Sequence, residues 1–214
     1  MRVLIGCERF GILREAFRRR GHDAWSCDLV PAVDGSPFHY CRDVREIADM
    51  GWDLAIFHPD CTYLTVSAAW AFTDGPYHQK VKPETLVGAA RRFAREESLQ
   101  MVGDLMESDC ERIAIENPAL SFISARYGSP DQIVHPNQFG DDASKATGLW
   151  LQKLPPLLPT KQIEPRMVNG RPRWANQTDA GQNRLSPSPD RAMKRAATYP
   201  GIAEAMAEQW GGLQ

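Results

Sequence analysis

The sequence predicts an α/β fold, a parallel sheet with helices on both faces. Short apolar runs alternate with stretches of helical spacing, and this strand–helix rhythm is that of parallel strands joined by crossover helices. Two of the runs, "DLAIFHP" and "RIAIENP", are cut off at a proline, as strands handing over to rim loops are. The chain has 214 residues, 43% of them hydrophobic and 24% charged, enough for one sizeable core and a small appendage.

The first run, "RVLIG", reads as a buried strand. After "CERFG", the stretch "ILREAFRRRGH" sets Ile12, Leu13, Ala16 and Phe17 at helical spacing with arginines on the other face, and Gly21 closes that helix. "DAWSCDL" is a second strand ending at Asp28, "VREIADMG" a short helix, and "DLAIFHP" a third strand. The longest helical stretch, "PETLVGAARRFAREESLQMVGDLMES", is expected to open at Pro83. "RIAIENP" is a fourth strand. Parallel sheets of this kind hold ligands beyond the C-terminal ends of their strands. Cys7, Asp28, Cys61 and Glu116 are therefore expected on one rim.

Past residue 128, "QIVHP" and "KATGLWL" read as two further strands, antiparallel at the sheet edge. Residues 154–190 are rich in Pro, Asn, Gln and Arg with little periodicity. The window 161–200 holds eight basic residues against three acidic ones, a local charge of +5. "GIAEAMAEQW" is a closing helix that packs back on the core. The expected division is a core over 1–157, a small basic segment over 158–183, and a returning segment over 184–214.

A formal net charge of -2 means that any nucleic-acid affinity comes from a local patch. The 5 cysteines are Cys7, Cys27, Cys41, Cys61 and Cys110; none makes a C-x-x-C pair, so neither a metal nor a redox motif is expected. An odd, scattered set fits a reducing compartment, and the N-terminal run "VLIG" is too short for a leader or a membrane span. The expected location is the cytoplasm, with no membrane contact.

Most lone cysteines are buried small hydrophobes, and Cys7, Cys27, Cys41 and Cys110 are read that way first. Cys61 differs, because it follows Pro59 at a strand end. A thiol there, beside a carboxyl at the next strand end, suits addition to a pyrimidine ring. Cytosine C5 is a poor nucleophile. A thiolate adding to C6 turns the ring into an enamine whose C5 attacks an electrophilic methyl group. An acid on N3 neutralises the charge that develops there, and a partly buried carboxyl that keeps its proton is expected to serve. Asp60, next to the thiol, is expected to raise its pKa. His58 is read as a packing residue or one that supports the site from behind, with no metal partner at ligand spacing.

"HPDCTYL" followed by "IAIENP" resembles the DNA cytosine-5 methyltransferase family, whose signatures are P-C after the fourth strand and E-N-V or E-N-P after the fifth. The resemblance implies a Rossmann-like, S-adenosyl-L-methionine-dependent sheet with a reduced target-recognition segment. It implies Cys61 as nucleophile, Glu116 on the cytosine edge, and Asn117 and Pro118 shaping the base pocket. Cys7, Phe10 and Gly11 stand in the cofactor loop, Asp28 where a carboxylate holds the ribose, Asp43 near the adenine, and Pro59 beside the nucleophile. "NRLSPSPDRAMKRAATYPG" is similar to the family's R-x-L-T-x-R-E block, so Arg184 is expected on the substrate. The loop reads Cys7-Glu8-Arg9-Phe10-Gly11 and keeps one of the family's two glycines, which leaves a modified S-adenosyl-L-methionine or another transferred group open. The second proline of P-P-C is Asp60 here. The Q-x-R-x-R motif is not recognisable, and Lys145 is the candidate for the missing cation. The implied partner is DNA, with the loop over 62–82 covering a flipped base.

Two other readings stay open. One is an amino-methyltransferase on adenine N6 or cytosine N4, although neither "HPDC" nor "NPAL" supplies that chemistry's closing aromatic. The other is a nucleic-acid-binding relative without catalysis. A cysteine hydrolase with His58 as base ranks below both.

Overall fold

In the computed structural model, residues 1–186, 188 and 191–213 are described, and for 191–193 the backbone alone. Seven strands form one mixed sheet: β1 (Arg2–Gly6), β2 (Asp23–Asp28), β3 (His39–Cys41), β4 (Leu54–Phe57), β5 (Ile113–Pro118), β6 (Gln132–Val134) and β7 (Thr147–Gln152), in spatial order β3-β2-β1-β4-β5-β7-β6. The first five pair in parallel, while β7 runs antiparallel to both β5 and β6. The chain walks outward from β1 to β3, then returns to the other side of β1 with β4. Order therefore reverses between β1 and β4, which is where a crevice opens beyond the strand ends.

Alternation along the strands divides the core between two faces. Val3, Ile5, Leu54, Ile56 and Ala114 meet helices α1 (Ile12–Arg19) and α5 (Pro200–Gln209), with Phe17, Met206 and Trp210 fully buried between them. Leu4, Ala55, Phe57, Ile113 and Ile115 face Leu99, Val102 and Leu105 of α2 (Gly88–Met106) and Ile123, which opens the short α3 (Ile123–Tyr127). The two antiparallel edge strands and the returning C-terminal helix stand as the sequence predicts. No helix among the described residues is long and apolar enough to cross a membrane.

Several elements differ from expectation. Helix α2 begins at Gly88, not near Pro83: Pro83 lies in a turn closed by Thr85 N–H on Lys82 O, and Glu84 and Gly88 both take positive φ. "VREIADMG" forms one 3-10 turn, Val44–Glu46, capped by Asp43. The loop after Cys61 holds a kinked 3-10 segment, Val66–Phe72. The aperiodic stretch contains a hairpin, β8 (Arg166–Val168) with β9 (Arg171–Arg173), turning at Asn169 and Gly170, both at positive φ. Asn-Gly is the strongest short-range hairpin signal; "RMVNGRPR" carries it without an alternating apolar face to draw notice. A further short helix, α4, spans Arg191–Ala196.

Gly11 caps α1 at φ 71, and a Cβ there would lie 2.2 Å from Arg14 Nη2 and 2.8 Å from Asp34 Oδ2. The fully buried Arg14 guanidinium pairs with Asp34 and donates to Ser26 Oγ at 2.6 Å. Gly11→Ala is expected to lower unfolding free energy by about 1–3 kcal/mol, from backbone strain at positive φ. Urea unfolding measures it, and an unchanged midpoint would contradict the account of this turn.

Candidate active site

Strands β4 and β5 pair Phe57 with Ile115, so the next residues stand level: His58 just past the end of β4, and Glu116 still within β5, where it pairs with Leu149 of β7. Their side chains meet: His58 Nδ1 lies 2.7 Å from Glu116 Oε2, with side-chain exposures of 11% and 9%. Lys145, just before β7, puts Nζ 3.9 Å from Glu116 Oε1 and donates to Arg195 O at 3.2 Å. Burial alone would raise the Glu116 carboxyl, but the His58 imidazole, Lys145 and the Thr198 hydroxyl hold it down at about 2. Burial disfavours a charged His58, yet Glu116, with Glu8 behind it, raises its pKa above the ordinary value. The expected protonated carboxyl is thus corrected. Both directions favour a charged pair, a carboxylate at Glu116 facing an imidazolium at His58.

The chain after His58 is fixed to β5 by further bonds. Asn117 Nδ2 donates to Pro59 O at 2.9 Å, and Ser121 Oγ donates to Leu64 O at 3.1 Å. Between those ties, Cys61 begins a turn in which its carbonyl accepts from Leu64 and Thr65. Cys61 is partly exposed, not sealed in hydrocarbon. Burial and then Asp60 raise its thiol pKa, while Lys145 and Arg195 oppose them. The Asp60 effect has the sign that the sequence predicts. Lys145 is thus within electrostatic reach of both the thiol and the carboxylate.

At the reversal between β1 and β4 lies a cavity of about 210 Å³, lined by Cys7, Glu8, Arg9, Phe10, Asp28, His58, Ala196, Ala197 and Thr198. Cys7 leaves β1 at φ 58, and burial foremost, then Asp28, pushes its thiol far up. Asp28, at the end of β2, accepts from Val30 N–H through Oδ1. Glu8 turns inward: its carboxylate accepts from Leu13 N–H at 2.7 Å and Arg14 N–H at 3.4 Å, so it fills the N-terminus of α1. Burial pushes Glu8 up against the pull of His58 and those two donors. Two buried nitrogens on this lining, His58 Nε2 and Arg9 Nε, have no hydrogen-bond partner among the described residues.

Of the residues singled out in sequence, Cys7, Phe10 and Asp28 line the cavity, while Cys61, Glu116, Asn117 and Lys145 gather on the adjoining rim. Pro59 contributes its carbonyl to Asn117, and Pro118 pairs with Thr147. Gly11 is the turn residue of α1 and not a cavity wall. Asp43 does not line the cavity either, and Arg45 takes both its carboxylate oxygens. Arg184 is exposed in the segment after the hairpin, its N–H on Asn176 O; Asn176 in turn pairs with Ser144, the neighbour of Lys145. The sequence reading gives His58 only a packing or supporting place and does not single out Thr198. His58 was legible as the first polar residue after "LAIF", matching Glu116 after "IAI"; Thr198 reaches the site only through tertiary folding.

No family model matches the chain, and no curated protein is significantly similar to it. Among the described residues, no group of three or more His, Cys, Asp or Glu side chains could hold a metal ion.

The pH dependence of the pair follows from the two directions. Glu116 is depressed, so its contribution is complete above about 4.5, its unfolded value, and is lost as pH falls toward about 2. His58 is raised, so its contribution is complete below about 6.5 and is lost as pH rises through its higher folded value. The difference in thermal midpoint between the native protein and His58→Asn/Glu116→Gln is expected to be most favourable to the native pair between about pH 4.5 and 6.5, and less favourable beyond either side. A pH-independent difference would show that the two side chains are not an ion pair.

Proposed function

We propose that the chain is a DNA cytosine-5 methyltransferase, with Cys61 as the nucleophile and Glu116 as the group that meets the cytosine edge. One observation carries the reading: a partly exposed thiol past the end of β4 and a buried carboxylate within the adjacent parallel strand β5 share Lys145 as a neighbour, and the carboxylate meets His58, which lines a cavity at the strand-order reversal. The residues fit S-adenosyl-L-methionine at the level of chemistry. Asp28 would hold ribose hydroxyls, Phe10 would face the apolar part of the nucleoside, and the unpartnered Arg9 Nε would meet a carboxylate. The cavity is small beside the ~300–1,000 Å³ usual for such ligands, and Ala196, Ala197 and Thr198 of the C-terminal segment form part of its lining. When bound, the cofactor supplies an electrophilic methyl group on a sulfonium.

The chain's own groups do the rest. Cys61 loses its proton to solvent, and its sulfur adds to C6; burial and Asp60 hold the thiol pKa up, and Lys145 and Arg195 offset them only in part. Glu116 and Lys145 face the opposite edge of the ring, where negative charge develops. C5 takes the methyl group, the C5 proton leaves to solvent, and the ring expels the thiolate. The target base must first leave the stack, at a cost of a few kcal/mol. The basic hairpin with Arg166, Arg171 and Arg173, and the loop with Trp70, Tyr77, His78, Lys80 and Lys82, supply cations and aromatic faces suited to phosphates and an unstacked base.

Duplex DNA containing 5-fluorocytosine tests the scheme. Fluorine cannot leave as a cation, so with methyl donor a covalent protein–DNA adduct is expected to accumulate and to disappear in Cys61→Ala. A folded, donor-binding protein that forms no adduct would refute it. Methyl transfer that survives in Cys61→Ala would favour an amino-methyltransferase, and absence of donor binding a non-catalytic binding protein.

A further inference from the structure

We propose that His58 is a positioning residue that stores the proton delivered to the pyrimidine through Glu116. The inference rests on the cytosine-5 reading above and deepens it. Thiolate addition at C6 drives an electron pair toward N3, and N3 then needs a proton. Glu116 has none to give, because it lies between His58 and Lys145 as a carboxylate. Its two cationic neighbours are the available sources. Lys145 Nζ is 3.9 Å from Oε1 and already donates to Arg195 O, whereas His58 Nδ1 is 2.7 Å from Oε2. The 2.7 Å separation is within proton-transfer range and 3.9 Å is not, although Oε2 receives no aligned N–H in this arrangement, so the His58 ring must turn to hand its proton over.

The surroundings favour a charged imidazole. The charged groups facing it are Glu116 from β5, Glu8 from the loop after β1, and Lys145 from the loop before β7: two carboxyl groups against one ammonium. Its Nε2 is buried and unpartnered on the cavity wall. A purely structural role accounts poorly for this, since a buried ion pair rarely stabilises more than apolar packing of the same volume, and an orphaned ring nitrogen costs more still.

The proton and electron balance closes. The sulfur–C6 bond forms, N3 takes a proton from Glu116, and Glu116 takes one from His58 Nδ1. After C5 gains its methyl group, the C5 proton leaves to solvent and the C6–sulfur bond breaks with the pair on sulfur. N3 then returns its proton through Glu116 to His58. The net proton released is the one from C5.

His58→Asn keeps an N–H near the Nδ1 position but cannot store a transferable proton. Its kcat on cytosine-containing DNA is expected to fall at least about tenfold, and the alkaline limb of its pH profile to move to lower pH. An equal loss at every pH, with the limb unmoved, would mark a structural role and overturn the proposal. Nitrogen-15 spectra of the native protein report on the same point without catalysis. At about pH 7.5, a unit above the ordinary histidine value, both ring nitrogens of His58 are expected to be protonated, and Glu116→Gln is expected to return the ring to the neutral form. A neutral ring in the native protein also overturns the proposal, even if the protein transfers methyl groups. A charged ring in a protein that transfers none would refute the cytosine reading, and the relay with it, leaving the pair as a structural feature.

Discussion

The site depends on one contact, the pairing of His58 with Glu116 across the ends of β4 and β5. Parallel register brings the two residues level, His58 as the chain leaves β4 and Glu116 within β5, and their opposite charges hold them together. The Asn117–Pro59 hydrogen bond repeats the tie one step on, and the Ser121–Leu64 bond repeats it again beyond the Cys61 turn. The path between these ties is short, so Cys61 has little freedom to drift from β5. Cutting the ion pair would leave one charge buried without its partner, which is the costly way to lose such an interaction.

A second consequence concerns charge. Sequence reasoning favoured a neutral Glu116, as burial of a lone carboxyl would give. Burial is the largest influence on Glu116, yet an imidazole at 2.7 Å and an ammonium at 3.9 Å together outweigh it. In the proposed cytosine-5 reaction, the acid function is divided between a carboxylate at the substrate edge and a histidine that holds the proton. Glu8 belongs to the same electrostatic network: held on the first amides of α1, its carboxyl group adds to the rise of the His58 pKa.

The sheet was legible because its strands are apolar runs with abrupt ends. "VLIG", "LAIF" and "IAIENP" read as strands without ambiguity, and the periodicity at Ile12, Leu13, Ala16 and Phe17 marks α1. Tertiary contacts decide the rest. β3 is three residues long and, among the described residues, pairs with β2 alone, so no local pattern announces it. The start of α2 moved because the guanidinium of Arg91 draws the preceding loop inward, donating to Leu86 O and Thr62 O. At the site, motif spacing gave Cys61 and Glu116, but which groups surround them follows from strand order. Lys145 arrives through the antiparallel return of β7 and Thr198 through the C-terminal segment, both remote in sequence.

Nucleoside mass analysis of DNA from cells expressing the native protein or Cys61→Ala tests the central claim most directly, that this thiol and carboxylate act together on a pyrimidine carbon. The account predicts 5-methyldeoxycytidine, or a related 5-substituted deoxycytidine, with the native protein and none with the variant. Unmodified cytosine in both, or a modification on an exocyclic amine that persists without the thiol, would contradict it.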